Sequence, residues 1–271
     1  MDNRPIGIFD SGLGGLSAVK EIINIMPNEN IIYFGDTGRV PYGTKSFDTI
    51  KKYASQDVNF LCSHNVKMII SACGTVSSVA YDIFKDLSVP FTGVVIPASR
   101  AAVKYSKNKK IGVIGTSATI KSNSYVAAIK SLDNDIEIFG LSCPMFVSLV
   151  ENGWIKKDDS VALSIAHRYL APLVLKGIDT LILGCTHFPL LEDVITKVIG
   201  TDIKLINTGK EAARYSKKIL SENNLLNDLN KTSTRKYFVS DCEQNFSSVA
   251  NLFLSNSDTS IFAQKIDIEN Y

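Results

Sequence analysis

Short apolar runs alternate with segments of helical periodicity along most of the chain. The apolar runs that end in small or polar residues occupy positions 6–9, 31–34, 68–71, 111–114 and 180–183. Between the first two runs, an apolar stripe of helical spacing precedes Pro27 and Asn28, which end the predicted helix. The apolar members of the stripe are Leu16, Val19, Ile22 and Ile23, and Lys20 lies among them. Strands that alternate with helices predict a mainly parallel sheet covered on both faces.

This strand and helix pattern occurs twice. Segment 5–11 resembles segment 110–117, and each is a short apolar strand that ends in hydroxyl or carboxylate groups. Later in each half another strand ends in a cysteine, Cys73 in the first half and Cys185 in the second. The repeat predicts an α/β fold of two pseudo-symmetric domains with the active site between them. Because open α/β sheets bind ligands at the carboxyl ends of their strands, we expect the two cysteines to face each other.

The boundaries between the two halves follow from the composition of the connecting segments. A strand-like run at 94–98 meets Pro97, which indicates a pivot, and the second half closes near 205–209. The remainder, with a helical segment at 210–220 and a strand-like segment at 236–240, is too short for a third domain. We therefore expect a first domain of residues 1–97 plus 209–271 and a second of residues 98–208.

Charge and cysteine content exclude several classes of protein. The 29 basic and 27 acidic residues give a net charge of +2 and form no long runs, so no nucleic acid or membrane surface is expected as a partner. No apolar stretch approaches the ~20 residues that span a bilayer, and no apolar signal region precedes the first strand. The five cysteines contain no CxxC pair. We expect a soluble cytoplasmic protein without disulfides or a structural metal.

Two of the cysteines stand in positions suited to chemistry. Cys73 and Cys185 each end an apolar strand and precede a small or hydroxyl residue at a predicted helix start, where free amides stabilise a thiolate. A thiol with an unperturbed pKa of ~8.5 needs little further help to act as a base near neutral pH. Cys62 and Cys143 are expected to be buried as small apolar residues, and Cys242 receives no role.

A glycine-rich segment after the first strand could be read as a dinucleotide fingerprint. Its third glycine position holds Ser17, and the Asp10 carboxylate would occupy the place of the pyrophosphate, so we reject that interpretation. Asp10 is then either a helix N-cap or a catalytic group. The second glycine- and proline-rich segment, 33–43, is either a simple turn or a cradle of backbone amides for a carboxylate.

The three histidines and one glutamate complete the candidate residues. His187 lies two residues from Cys185 and can flank the same pocket, whereas His64 and His167 lie in helical patterns and are expected on the surface or in the core. Glu151 is either a solvated helix charge or an ionisable neighbour of the site.

Five blocks in order along the chain resemble the glutamate racemase family, within the wider aspartate/glutamate racemase group. The blocks are 8–15, 33–36 with 41–43, 112–116, 143–147 with Glu151, and 183–191. The resemblance implies that Cys73 and Cys185 are the acid/base residues, supported by Asp10 and His187, with Glu151 as a further catalytic neighbour. It implies substrate contacts at Asp10, Ser11, Tyr42, Gly43, Gly74, Thr75, Thr186 and His187. The family usually has asparagine where this chain has Gly74, so one side-chain contact to the substrate is missing.

The family implies cofactor-independent racemisation of L- and D-glutamate, which supplies D-glutamate for peptidoglycan, and self-association as a homodimer. Two thiols on opposite faces fit this task, because a proton must leave one face of Cα and return to the other. No lysine stands in a recognisable pyridoxal phosphate setting. Aspartate racemase is the nearest alternative. A cysteine hydrolase using Cys185 with His187, or a non-catalytic carboxylate-binding protein, is the alternative from another class.

Overall fold

The computed structural model describes residues 2–227, 233–241, 246–254 and 261–271. Its strands are β1 (Ile6–Asp10), β2 (Ile31–Gly35), β3 (Met68–Ser71), β4 (Phe91–Thr92), β5 (Lys110–Gly115), β6 (Glu137–Ser142), β7 (Thr180–Leu183), β8 (Lys204–Asn207), β9 (Arg235–Val239) and β10 (Ala263–Lys265). Its α-helices are α1 (Leu16–Ile25), α2 (Phe47–Ser63), α3 (Gly74–Val79), α4 (Val95–Tyr105), α5 (Ser117–Lys121), α6 (Ser124–Leu132), α7 (Pro144–Glu151), α8 (Ser160–Leu175), α9 (Glu192–Ile199), α10 (Thr208–Glu222) and α11 (Phe246–Leu254).

The strands form two sheets with the same internal order. The first sheet runs β10-β9-β2-β1-β3-β4 and the second β6-β5-β7-β8, and each described strand pair is parallel. Taken from β2, the first sheet repeats the order of the second, so β1 corresponds to β5 and β3 to β7. The predicted α/β fold with two pseudo-symmetric parallel sheets is confirmed.

Burial explains why the five apolar runs became strands. Every residue of β1, β2, β3 and β7 is buried, as expected for parallel strands with helices on both faces. In α1, the stripe predicted from the sequence turns Leu16, Val19 and Ile22 into the core. Each of the five predicted strands lies within one of these observed strands or within β5.

The prediction of a strand-like segment at 94–98 is wrong. A two-residue strand, β4, precedes it, and helix α4 begins at Val95 with Val94 as its cap. Pro97 is the third residue of that helix, and the amides of the first turn make no hydrogen bond within a helix, so the proline costs none. The valines that suggested a strand therefore stand at the start of a helix.

The chain after 208 returns to the first sheet. Helix α10 contains the predicted helix 210–220 and packs against both α1 and α4. Strand β9 overlaps the predicted strand 236–240 and pairs with β2. The division into domains 1–97 plus 209–271 and 98–208 stays a prediction. Within the described ranges, every helix is too short or too polar to cross a membrane.

Candidate active site

A cavity of about 740 Å³ opens where the carboxyl ends of the two sheets meet. Both halves of the chain line it, because β3 and β7 end at its wall. The lining includes the predicted residues Ser11, Tyr42, Gly43, Cys73, Gly74, Thr75, Glu151, Cys185, Thr186 and His187. The repeat has therefore brought the two cysteines to one cavity, as the sequence predicts.

Cys73 caps the short helix α3 directly after β3 and is only 4% exposed. Its thiol donates a hydrogen bond to Ser11 Oγ across 3.6 Å. Burial, reinforced by the charge of Asp10, raises the pKa of Cys73 to about 12, although hydrogen bonding with the Ser11 hydroxyl and with the amides of Ser11 and Val76 opposes the increase. The expectation that the helix start makes Cys73 a ready thiolate is therefore wrong, because desolvation outweighs the amides.

Asp10 ends β1 and lies behind the cavity wall rather than on it. Its carboxylate is fully buried, and Oδ2 accepts hydrogen bonds from the amides of Gly12 at 3.2 Å and Gly15 at 3.0 Å. Burial raises the pKa of Asp10, although the charge of His187 and the turn amides oppose the increase. Asp10 thus holds the turn before α1, and its charge acts on Cys73. Because the Asp10 side chain has no exposed surface, it does not make the direct substrate contact that was predicted for it.

Cys185 follows β7 by two residues and is 6% exposed. Its sulfur lies 3.7 Å from His187 Nδ1. The residues after it form a turn and the 3-10 helix Phe188–Leu191, so the predicted α-helix start directly after Cys185 is wrong. The neighbour that distinguishes Cys185 is therefore an imidazole and not a helix N-terminus.

His187 connects Cys185 to Glu151. Its Nε2 lies 3.3 Å from Glu151 Oε1, at the carboxyl end of α7, where the glutamate side chain is 58% exposed. Burial alone lowers the pKa of His187, but hydrogen bonds with Cys185 and Glu151 and the charge of Asp10 outweigh it and raise that pKa to about 10. At neutral pH the ring carries a positive charge and places it beside the sulfur of Cys185.

Hydroxyl groups from the two halves meet inside the cavity. Thr75 Oγ1 lies 2.9 Å from Thr116 Oγ1, and Thr116 caps α5 through the amide of Thr119. Tyr42 also lines the cavity, but its hydroxyl donates to the buried carboxylate of Asp36. The threonine pair offers donors for a substrate carboxylate, whereas the Tyr42 hydroxyl is already engaged.

Several lining residues escaped the sequence interpretation. They are Gly12, Leu13, Thr37, Val40, Pro41, Thr44, Thr116, Ser117, Pro144, Val147, Ser148 and Phe253. Thr116 carried a usable signal, since it directly follows the second copy of the first strand just as Ser11 follows the first copy. Phe253 carried none: it comes from α11, and its ring meets that of His187 at a centroid distance of 5.9 Å.

Among the described residues, the other cysteines and histidines do not line the cavity. Cys143 is buried as predicted, whereas Cys62 is exposed on α2, so its predicted burial is wrong because it falls on the outward face of that helix. Cys242 lies outside the described residues. Within the described part of the chain, no cluster of three or more His, Cys, Asp or Glu side chains could hold a metal ion.

Comparison with known proteins points to one family. The model of the Asp/Glu/Hydantoin racemase family matches residues 13–215. The glutamate racemase of Geobacter metallireducens is 42% identical over 98% of both chains, and that of Sulfurihydrogenibium sp. is 45% identical over the same shares. The crystal structure of glutamate racemase from Francisella tularensis, in complex with D-glutamate, superposes with a TM-score of 0.91 at 39% identity and covers 100% of both chains.

Proposed function

Because this chain belongs to the Asp/Glu/Hydantoin racemase family and is an isomerase of the amino-acid racemase type, we propose that it interconverts L-glutamate and D-glutamate without a cofactor, through the thiols of Cys73 and Cys185. The observation that carries the proposal is the position of these cysteines. They follow equivalent strands of two equivalent sheets and line one cavity, each almost completely buried. The choice of glutamate is supported by the relatives, which are glutamate racemases over nearly their whole length.

Racemisation requires an acid and a base on opposite faces of the substrate. Starting from L-glutamate, Cys185 as thiolate takes the Cα proton, and the thiol of Cys73 delivers its proton to the other face. The product is D-glutamate, and the thiolate is now at Cys73, so the reverse reaction begins with the opposite assignment. One group cannot easily reach both faces, which is why a duplicated half-site suits this reaction.

The charges of the resting cavity agree with this assignment. The raised pKa of Cys73, about 12, keeps it a thiol at neutral pH, ready to donate. The positive His187 ring lies beside Cys185, where negative charge has to be held. Asp10 contributes by favouring the protonated form of Cys73, which is the form that donates a proton when L-glutamate is the substrate.

The substrate carboxylates need fixed hydrogen-bond donors as charge develops during proton removal. We assign these contacts to Ser11, Tyr42, Gly43, Gly74, Thr75, Thr186 and His187, through backbone amides where the side chain is absent or engaged. The hydroxyl pair of Thr75 and Thr116 adds donors from both halves. Asp10 and Glu151 act through Cys73 and His187 rather than on the substrate itself.

The biological role that fits this reaction is the supply of D-glutamate for bacterial peptidoglycan precursors, and through them for cell wall biogenesis and cell shape. We place the enzyme in the cytoplasm and expect a homodimer, as the family resemblance implies. Sedimentation of the purified protein at several concentrations measures the assembly, and a monomer throughout the range would contradict that part of the proposal.

Circular dichroism of each glutamate enantiomer, incubated with pyridoxal-free protein, tests the function. We expect the signal of either enantiomer to decay to zero, unaffected by chelators or carbonyl reagents. Activity that appears only with added pyridoxal phosphate would overturn the two-thiol reaction, and faster decay with aspartate would favour aspartate racemase. A hydrolase built on Cys185 and His187 would leave Cys73 without a role, so an active Cys73→Ser variant is the result that favours it.

A further inference from the structure

The two cysteines are joined by a direct backbone contact across the cavity. Gly74 follows Cys73, Gly184 precedes Cys185, and a Cβ placed on Gly74 would lie 2.1 Å from the carbonyl oxygen of Gly184 and 3.1 Å from its carbonyl carbon. Real Cβ atoms essentially never approach another heavy atom closer than 3.0 Å. The two strand ends can therefore touch only because residue 74 has no side chain.

Neither partner in this contact can easily yield. The Gly184 amide donates to the Ile114 carbonyl at 2.7 Å, which ties the chain to β5 one peptide unit before the Gly184 carbonyl. On the other side, Cys73 accepts a hydrogen bond from the Ser77 amide at 2.9 Å, which fixes the start of α3. A side chain at position 74 would have to displace one of these segments, and each segment carries a cysteine.

Flanking contacts hold the two halves in the same arrangement. Ser17 Oγ donates to the Thr186 carbonyl at 2.7 Å, and Thr75 meets Thr116 at 2.9 Å. Gly43 also approaches the second half, but a Cβ there would meet the side chain of Thr116 rather than backbone. A Cβ on Gly209 would also meet backbone, 2.9 Å from Cα of Ala18, but Gly209 does not line the cavity. Gly74 makes the closer approach, and it stands directly beside a cysteine.

We propose that Gly74 is a positioning residue that sets the separation of the two thiols, by allowing the chain beside Cys73 to rest on the chain beside Cys185. The proposal rests on the two-thiol reaction proposed above. It also gives a physical meaning to the departure from the family's asparagine: in this chain, position 74 serves a close backbone approach, and an asparagine side chain does not fit without a shift.

Gly74→Ala tests the proposal, because it adds one methyl group and no hydrogen-bonding group. Relieving the collision moves the strand ends apart by about 1 Å, a misplacement that can lower a rate roughly 100-fold. We expect kcat for racemisation to fall by about that factor, with KM changed less than about threefold. In deuterated water, the ratio of deuterated L-glutamate to D-glutamate formed from L-glutamate should rise, since return of the proton to the same face needs only one thiol.

This ratio separates positioning from general damage, because both products come from the same folded molecules. Gly140→Ala is the matched control: its Cβ would make ordinary contacts of 3.4 and 3.7 Å with Ile120, and we expect wild-type kinetics. Gly74→Asn should show the same raised ratio as Gly74→Ala. Unchanged kcat, a lower kcat with an unchanged ratio, or failure of both position-74 variants to fold would each overturn the proposal.

The outcome is distinguishable from failure of the proposed function. If the wild-type protein does not racemise glutamate, or if Cys73→Ser or Cys185→Ser retains full activity, the two-thiol reaction is wrong and the position-74 result has no bearing on it. If the wild type racemises and both cysteine variants are inactive, the result with Gly74→Ala decides the positioning role alone.

Discussion

Cys73 and Cys185 follow equivalent strands and have nearly the same exposure, 4% and 6%, but the charges beside their sulfurs are opposite. Burial is the largest cause of the raised pKa of Cys73, and the charge of the Asp10 carboxylate is the second largest. Beside Cys185 stands the ring of His187, whose pKa of about 10 keeps it positive at neutral pH. Because the two cysteines are buried to nearly the same extent, the charged neighbours are what make the surroundings of the two sulfurs different.

The origin of the difference is visible at equivalent positions of the repeat. Where β1 ends in Asp10, β5 ends in Gly115, and two residues after Cys73 stands Thr75 where the second half has His187. The duplicated scaffold brings two thiols to one cavity, and different residues at matching positions of the repeat place a carboxylate near one thiol and an imidazole beside the other. The symmetry of the repeat thus places the two thiols, and its asymmetry gives each thiol a different charged neighbour.

The largest effect is expected when either thiol is replaced by a hydroxyl. Cys73→Ser and Cys185→Ser should each lower racemisation by roughly 10³- to 10⁴-fold, because general acid–base catalysis by one group typically contributes up to that order. The exchange of Cα protons in deuterated water should expose the comparison. Cys185→Ser should exchange only D-glutamate, and Cys73→Ser only L-glutamate, as followed by NMR.

Cys62→Ser is the matched control for these variants, since Cys62 is exposed on α2 and does not line the cavity. It should retain wild-type activity. Racemisation at the wild-type rate in either active-site variant, or exchange of the same enantiomer in both, would break the assignment of one thiol to each face.

A smaller effect, still about 10- to 100-fold, is expected for His187→Asn, because a charge-assisted hydrogen bond is worth about 1.5 to 3 kcal/mol. The sign of the pH dependence follows from the raised pKa of His187. Its positive form is present below about pH 10 and lost above, so kcat/KM should fall as pH rises through 10. The fall should be the same for both enantiomers, since the equilibrium constant of racemisation is one.

His187→Asn has no such titration, and its kcat/KM should be lower but without the fall near pH 10. Stopped assays by chiral chromatography across pH 7 to about 10.5, with unfolding followed in parallel, make this measurement. If kcat/KM of the variant falls near pH 10 as it does in the wild type, another group is responsible for the titration. His187 would then not be the residue that stabilises negative charge on Cys185.

Alkylation of the ligand-free protein tests the resting protonation state directly. Iodoacetamide reacts with thiolates, so we expect Cys73 to react at least about tenfold more slowly than Cys185 at pH 7.5. Because the charge of Asp10 contributes to the raised pKa of Cys73, Asp10→Asn should speed labelling at Cys73 and not at Cys185. Peptide mass spectrometry reports both sites, and equal rates in the wild type would contradict the comparison.

The sequence was sufficient for the sheets and for the meeting of the cysteines, because both depend on local features that repeat. Fully apolar runs predicted the buried strands, and the carboxyl ends of parallel strands converge by topology. The run at 94–98 failed because valine and isoleucine favour strands locally, while the chain after β4 continues into α4 and tolerates Pro97 in its first turn.

What the sequence could not provide was the balance of long-range effects at each sulfur. The helix amides near Cys73 are predictable from the chain, but the burial that defeats them depends on packing of both halves. The contact of Gly74 with Gly184 likewise joins residues far apart in the chain. From the sequence alone, Gly74 therefore indicated a missing side-chain contact to the substrate, and not a close approach of two backbone segments. Phe253 reached the cavity from α11 through tertiary packing alone.

The smallest effect in this comparison should come from Glu151, which acts on Cys185 only through His187. Its carboxylate is 58% exposed, and an exposed ion pair contributes at most about 1 kcal/mol, so Glu151→Gln should lower kcat by about fivefold or less. The hydrogen bond that His187 Nε2 donates to the carboxylate of Glu151 helps to raise the pKa of His187. Its loss should therefore move the alkaline fall of kcat/KM to lower pH.

The direction of that shift is more informative than the size of the rate change. Removing a carboxylate that stabilises the imidazolium lets His187 lose its proton earlier, so the variant should be closest to wild type near pH 7 and fall behind as pH approaches 10. Glu137→Gln, an exposed carboxylate on β6, removes the same charge far from the cavity and should leave the profile unchanged. A loss that is equal at every pH would mean that Glu151 acts on the substrate directly, and the chain Glu151–His187–Cys185 would then have to be abandoned.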